Sequence, residues 1–129
     1  MNKYEKEKME IAKYVISKIW ECNESQFTLM KKRKTNIVFA RRFFIYYLWK
    51  HCNVTHNRMK DHIHGMNHAT SIYHCRKLEE EMEYYYDILK KWITFLFYAD
   101  QKEYAKLKID MKYPMETMNN VEINSNYIY

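Results

Sequence analysis

The chain is poor in the residues that interrupt secondary structure, with one glycine, Gly65, and one proline, Pro114, among 129 residues. A globular protein of this length normally holds several times more glycine. A single glycine excludes the G-x-x-x-x-G-K-[ST] loop that cradles nucleotide phosphates, and no nucleotide or other cofactor is predicted. The same scarcity marks Gly65 as a position where only glycine fits, because glycine adopts the positive φ of a tight turn without a steric clash.

Long apolar runs and paired cysteines are also missing. The best candidate for an apolar span, Trp92 to Tyr98, has seven residues, against the roughly 18–20 of a membrane span. The N-terminus alternates lysine and glutamate and lacks the apolar core of a secretion signal. Cys22, Cys52 and Cys75 are odd in number and far apart, which favours reduced thiols over a disulfide framework. These absences predict a cytoplasmic protein with no membrane partner.

Acidic residues are nearly missing from the middle of the chain. Residues 31–77 hold eleven lysines and arginines against one acid, Asp61. Residues 1–30 are balanced in charge, and residues 78–129 carry an excess of acids. Such segregation is typical of a face that binds a polyanion. The alternative is a solvated surface on which the charges have no common role.

Hydrophobic spacing is helical along most of the chain, and neither internal repeats nor β-type alternation occurs. Ile11, Val15 and Ile19 form the apolar stripe of a first helix. Cap signals predict four further helices. They begin at Asn23-Glu24-Ser25 (a short helix with Phe27, Leu29 and Met30), at Thr35-Asn36 (ending near Asn53), after Thr55 and after Asn67. The last is the longest and has a candidate break at 84–87. Its apolar stripe steps by three or four residues through Ile72, Cys75, Leu78, Met82, Tyr85, Leu89, Trp92 and Leu96.

Gly65 lies between the last two of these helices. A helix, a short glycine turn and a second helix form a helix-turn-helix, whose second helix enters the major groove of DNA. The expected fold is an all-α helix-turn-helix bundle of about five to six helices with a long helix after the turn. We expect residues 1–108 to form a single helical DNA-binding domain and residues 109–129 to form a flexible polar tail.

The run 67–80, NHATSIYHCRKLEE, resembles the signature Asp-His-Thr-Thr-Val-x-x-Ala-Cys-Arg-Lys-Ile-Glu of the C-terminal DNA-binding domain of DnaA, the bacterial replication initiator. The run 29–34, LMKKRK, is similar to the basic loop Leu-x-Ser-Lys-Arg-Arg of that domain, and the run 40–42, ARR, to its Ala-Arg-x-Arg-Gln segment. Three further positions match the Ile, Phe and Gly of its helix-turn-helix: Met59, Ile63 and Gly65. The resemblance covers residues 10–95.

The resemblance implies a set of DNA contacts. In the DnaA domain the start of the signature helix enters the major groove, and the basic loop reaches the adjacent minor groove. The implied base-edge contacts are made by Asn67, His68, Ala69, Thr70, Arg33 and Arg41. The implied phosphate contacts are made by Lys31, Lys32, Lys34, Arg42 and Lys77. Phosphate contacts add affinity but carry no sequence information.

Two positions depart from the signature. Asn67 replaces an aspartate that can accept a hydrogen bond from cytosine N4, whereas an asparagine amide pairs more naturally with adenine. Ala69 replaces a threonine, which removes a hydroxyl and leaves a methyl group that can meet a thymine methyl. Since one bidentate base contact is worth ~1–3 kcal/mol of discrimination, these changes can redirect the preferred DNA site.

The sequence therefore predicts a protein that binds double-stranded DNA and is not an enzyme. It resembles the DNA-binding part of the initiator without the phosphate loop of its ATPase. We expect a nucleoid-associated regulator or competitor in the replication or transcription of a bacterial, phage or mobile-element genome. Two alternatives stay open: a helical module whose basic face binds an acidic protein, and a non-specific packaging or RNA-binding protein. A second copy, or a replication or transcription protein, is a further candidate partner.

The histidines and the aromatic runs are interpreted as structural residues and not as binding sites. Five of the six histidines lie between residues 56 and 74. They straddle the turn and no C-x-x-C pair accompanies them, so no metal site is predicted. The run Tyr84-Tyr85-Tyr86 and the run 95–97 are interpreted as packing of the core and of the C-terminal helix instead of as a base-stacking platform.

Overall fold

Most of the residues that the structure describes are helical. The structure, a computed structural model, describes residues 2–30, 34–102, 104, 106 and 107. The elements are α1 (Lys3–Ile19), α2 (Glu24–Phe27), α3 (Thr35–His51), a 3₁₀ helix (His56–Asp61), α4 (His68–Tyr84) and α5 (Tyr86–Ala99). No β-strand occurs within these residues, so the predicted all-α fold of five to six helices is confirmed. The tail predicted at 109–129 lies outside the described residues.

Helix α3 is the centre of the bundle. It is apolar on nearly every side, which is typical of a helix that other elements surround. Its Phe43 ring lies edge-on to Trp20 at 5.2 Å and to Trp92 of α5 at 5.1 Å between centroids. Tyr46 of α3 also meets Trp92, at 5.2 Å. Edge-to-face contacts of this kind add to the apolar burial that holds α1, α3 and α5 together.

Helix α1 confirms the predicted stripe. Ile11, Val15 and Ile19 are buried, and the stripe faces α3 and α5. The helix begins at a cap residue, Asn2, whose side-chain oxygen accepts a hydrogen bond from the backbone N–H of Glu5 at 2.8 Å. The cap satisfies an amide that would otherwise lack a helical partner.

The long helix predicted after Gly65 is divided in two, at the candidate break. Tyr85 has an extended backbone (φ −122°, ψ 105°) and separates α4 from α5. Cys75, Leu78 and Met82 of the predicted stripe are buried, as are the corresponding α5 residues Trp92 and Leu96. Tyr85 was expected on the same stripe and is instead exposed. The break turns its ring away from the core, because an extended residue changes the helical phase.

Helix boundaries differ from the predictions at two places: α2 ends at Phe27, before the predicted Leu29 and Met30, and α3 begins at its predicted cap residue. Thr35 and Asn36 lie in the first turn of α3, and the residue in the cap position is Lys34. The side chain of Asn36 instead donates a hydrogen bond from Nδ2 to the carbonyl oxygen of Trp20 at 3.0 Å. It thereby joins the start of α3 to the end of α1. A cap residue and a residue that links two helices have the same local signature in a sequence.

The turn at Gly65 is held to the segment that follows α2. Gly65 has φ +85°, as its isolation in the sequence predicts. His64, its neighbour, donates from its backbone N–H to the carbonyl oxygen of Thr28 at 2.9 Å and accepts from the N–H of Met30 at 3.1 Å. A Cβ atom at Gly65 would stand 3.3 Å from Cβ of Met30. The position therefore requires glycine for its backbone angle and for the close approach of a second segment.

Gly65→Ala is expected to lower the free energy of unfolding by about 1–3 kcal/mol, because the Cβ atom opposes the positive φ and crowds Met30. Urea unfolding followed by circular dichroism measures the change. Asn53→Ala is the matched control, since Asn53 also has positive φ (56°) but lies in a different turn. It is expected to cost ~1 kcal/mol or less. A Gly65→Ala protein within about 0.5 kcal/mol of the parent would contradict this account of the turn.

Candidate nucleic-acid interface

The start of α4 projects from the Gly65 turn into solvent. Asn67 occupies the cap position, as predicted, and its Oδ1 accepts a hydrogen bond from the N–H of Thr70 at 2.8 Å. The side chains of Asn67, His68 and Ala69 are exposed, and that of Thr70 is half-buried. The structure thus brings four of the six predicted base-edge residues together in one helical turn. No acidic residue lies in this first turn, so the partial positive charge of the helix start is not neutralised there.

Contacts among three aromatic rings connect this helical turn to α3 and to the 3₁₀ helix. His56 stacks on Trp49 of α3 with ring centroids 5.0 Å apart, and its ring meets that of His68 edge-on at 5.9 Å. Its Nδ1 lies 2.7 Å from Oγ of Ser71, which is fully buried. Burial, and then the charge of His68, lower the pKa of His56. Trp49, His56 and Ser71 were not predicted as part of the site, because their contacts join three separate elements.

Beyond the first turn, the outward face of α4 changes charge along its length. Residues 69, 73, 76 and 80 lie on one face by helical spacing, and all four side chains are exposed. Tyr73 and Arg76 therefore extend the exposed surface that begins at Ala69, and neither was among the predicted contacts. The cations Arg76 and Lys77 are followed by Glu79, Glu80, Glu81 and Glu83. Only the first half of α4 is electrostatically suited to face a polyanion.

Arg41 was expected to contact base edges, and the structure places it in the interior. It is 3% exposed, and its guanidinium donates to the carbonyl oxygen of Leu29 and, at 3.4 Å, to that of Gln26. These two carbonyls lie at the end of α2 and in the segment just before the basic run 31–34. In this structure Arg41 therefore holds the backbone that leads into the basic run, and a base-edge contact would require those bonds to break.

Arg42 was expected to contact a phosphate, and it is also placed inside. Its guanidinium forms an ion pair with Glu81 of α4, and its Nε donates to Nδ1 of His74 at 3.1 Å. The side chains of Arg42 and Glu81 are only 11% and 10% exposed. The guanidinium also lies 5.9 Å from the ring of Tyr73. Arg42 therefore joins α3 to α4. A cation with so little contact with water needs a paired carboxylate, which Glu81 supplies.

The remaining predicted DNA contacts fall into two groups. The predicted phosphate contacts Lys31 and Lys32 and the predicted base-edge contact Arg33 lie outside the described residues. Lys34 is exposed at the start of α3, and Lys77 is half-buried on α4.

Two findings concern other kinds of site. Within the described ranges, no three His, Cys, Asp or Glu side chains are grouped closely enough to hold a metal ion. None of the helices there is both long and apolar enough to cross a membrane.

No family model, curated protein or solved structure matches this chain. The resemblance to the DnaA domain therefore stays a prediction, and the function is argued from the geometry and charge of the described residues.

The buried triad of Arg42, His74 and Glu81 predicts acid sensitivity. Burial, and then the charge of Arg42, lower the pKa of His74 from 6.5 to about 4. Between these values the unfolded chain binds a proton that the folded chain does not, so His74 stabilises the fold above pH 6.5 and this contribution is lost as the pH falls towards 4. The loss reaches roughly 3 kcal/mol. Burial raises the pKa of Glu81, which acts in the opposite direction.

The test is the free energy of unfolding in urea, measured from pH 7 to pH 4.5, for the parent and for His74→Asn. Asparagine keeps an acceptor near the position of Nδ1 but does not titrate. The free energy of unfolding of His74→Asn should therefore fall less steeply than that of the parent as the pH is lowered. The exposed His64→Asn controls for replacement of a histidine at the surface. If the parent and His74→Asn lost stability in parallel, His74 would not be the acid-sensitive group.

Proposed function

We propose that this chain binds double-stranded DNA through a helix-turn-helix and selects sequences with the first turn of α4. One observation carries the proposal: the Gly65 turn presents Asn67, His68 and Ala69 to solvent at the start of a helix whose first half is free of acids. The turn lies in the segment of the chain that holds eleven basic residues and one acid. A groove lined by phosphates favours this combination of position and charge.

The charge change along α4 defines how the helix meets the duplex. Residues 68–77 span ~15 Å of helix axis, and the glutamates that follow would be repelled by phosphates. The major groove is ~12 Å wide and admits one helix. We therefore infer an end-on approach, in which the first two to three turns enter the groove and the acidic half points away from the DNA.

The cap hydrogen bond narrows the chemistry that Asn67 can offer. Its Oδ1 accepts a hydrogen bond from the N–H of Thr70, so a bidentate pair with adenine can use only the second lone pair of that oxygen. The amide Nδ2 carries two donors and suits an acceptor in the groove, such as purine N7, guanine O6 or thymine O4. The neighbouring Ala69 methyl suits a thymine methyl, and the His68 ring suits either a base edge or a phosphate.

Exposed cations outside the first turn would fix the protein on the backbone of the duplex. Lys34 and Arg76 are exposed in the described residues. Lys31 and Lys32 are further phosphate contacts predicted from the sequence alone. We propose a regulator or competitor at DNA sites of a bacterial, phage or mobile-element genome, in replication or in transcription.

The proposal is tested by selection from a randomised duplex, followed by fluorescence anisotropy on the selected duplex, a scrambled duplex, a single strand and an RNA. His68→Ala is expected to reduce discrimination between selected and scrambled duplex by about 5–100-fold, because it removes a group at the groove. Lys34→Ala is expected to weaken binding to all duplexes alike. It should also lower the slope of log affinity against log salt concentration by about one unit.

Lys3→Ala is the matched control for Lys34→Ala, since Lys3 is an exposed lysine outside the basic segment. It should leave both the affinity and the salt slope unchanged. Equal effects of His68→Ala and Lys34→Ala on every probe would reject the division into base and phosphate contacts. Duplex affinity no better than millimolar at low salt would reject DNA binding and favour an acidic protein partner.

A further inference from the structure

Three consecutive tyrosines are exposed at the junction of α4 and α5. Tyr84, Tyr85 and Tyr86 are 71%, 61% and 61% exposed, although the sequence analysis assigned them to the packing of the core and the C-terminal helix. The junction is well connected: the N–H of Tyr85 donates to the carbonyl oxygen of Glu81 at 2.8 Å, and the N–H of Ile88 donates to that of Tyr85 at 3.1 Å. The three rings are therefore held in solvent by an ordered corner of the chain.

Exposed acidic residues lie next to these tyrosines along the chain. Glu83 and Asp87 flank the tyrosines in the sequence, and both are exposed, as is Glu80 one turn earlier. Residues 78–89 contain no lysine or arginine. We name the group formed by Glu80 and residues 83–87 the acidic tyrosine surface. Its charge is opposite to that of the first half of α4, so a nucleic acid backbone is repelled from it.

Exposed rings and carboxylates together recognise one kind of side chain. Tyrosine supplies contact area at a small loss of side-chain entropy and is enriched in protein interfaces. An aromatic face attracts a cation, and arginine stacks on it more effectively than lysine does. A carboxylate accepts two parallel hydrogen bonds from a guanidinium. Arginine satisfies both requirements at once.

We propose that the acidic tyrosine surface docks an arginine-bearing segment of a partner protein. The inference does not depend on DNA binding, since it uses none of the residues at the start of α4. Helix α4 has 17 residues, so its two ends lie ~25 Å apart. Both ends can be occupied at the same time, and a chain bound to DNA can hold its partner beyond the duplex.

The test uses two labelled peptides on the full chain, one alternating arginine with alanine and one alternating lysine with alanine at equal length and charge. Binding is followed by fluorescence anisotropy at near-physiological salt, and the contacted residues are mapped by shifts of backbone amide signals in NMR spectra. We expect the arginine peptide to bind several-fold more tightly than the lysine peptide, with shifts confined to the acidic tyrosine surface.

Two double variants separate the rings from the charges. Tyr84→Ser/Tyr86→Ser keeps every carboxylate. It is expected to weaken binding of the arginine peptide about fivefold to tenfold, so that the arginine and lysine peptides bind equally. Glu80→Gln/Glu83→Gln keeps the rings and is expected to weaken both peptides. Tyr4→Ser is the matched control, because Tyr4 is 69% exposed on α1 and lies outside this surface. It should leave binding unchanged.

Other outcomes overturn the proposal. If the two peptides bound equally and Tyr84→Ser/Tyr86→Ser did not change their affinity, the tyrosines would have no part in binding and the surface would be an ordinary solvated acidic face. Self-association in sedimentation experiments that the same variant abolishes would assign the surface to a second copy of this chain. Tighter binding of a single-stranded DNA at the tyrosines would assign it to base stacking. Duplex binding should survive Tyr84→Ser/Tyr86→Ser, which separates failure here from failure of the proposed function.

Discussion

The structure depends on the burial of α3 among the other elements. Its aromatic side chains contact α1 and α5, and its adjacent arginines reach two further segments. Arg41 holds the carbonyls of Gln26 and Leu29, and Arg42 holds His74 and Glu81 of α4. Adjacent residues on a helix point about 100° apart, so a single turn of α3 fixes both the approach to the basic run and the direction of α4. Contacts made inside the bundle therefore set the direction in which the exposed start of α4 points.

Helix α4 has two ends with different chemistry. Its first turn carries the asparagine cap and exposed polar side chains next to the Gly65 turn, and its last turns carry glutamates followed by exposed tyrosines. The half-buried ion pair of Arg42 with Glu81 lies on the side that faces α3. One rigid helix can thus present a surface suited to a polyanion and a surface suited to a cation, separated by a distance that the helix length fixes.

Much of the fold was predictable from local patterns, and part of the site was not. The stripe of α1, the Asn67 cap, the turn at Gly65 and the break near Tyr85 were predicted, because each depends on residues close together in the sequence. The positions of Arg41 and Arg42 were not. Arg42 is 32 residues from His74 and 39 from Glu81, and no local signal shows that these side chains meet. The same limit concealed His56, whose contacts come from α3 and α4.

The helical class, the place of the turn and the separation of basic from acidic segments follow from local sequence, since periodicity, glycine scarcity and charge are properties of the chain. Which of the charged and aromatic residues face solvent depends on how the helices pack. The tertiary structure placed two predicted DNA-contacting arginines inside and three predicted core tyrosines outside. The reason is physical: an arginine is withdrawn from the surface when distant carbonyls and a carboxylate satisfy it, and a ring leaves the core when the backbone changes its helical phase.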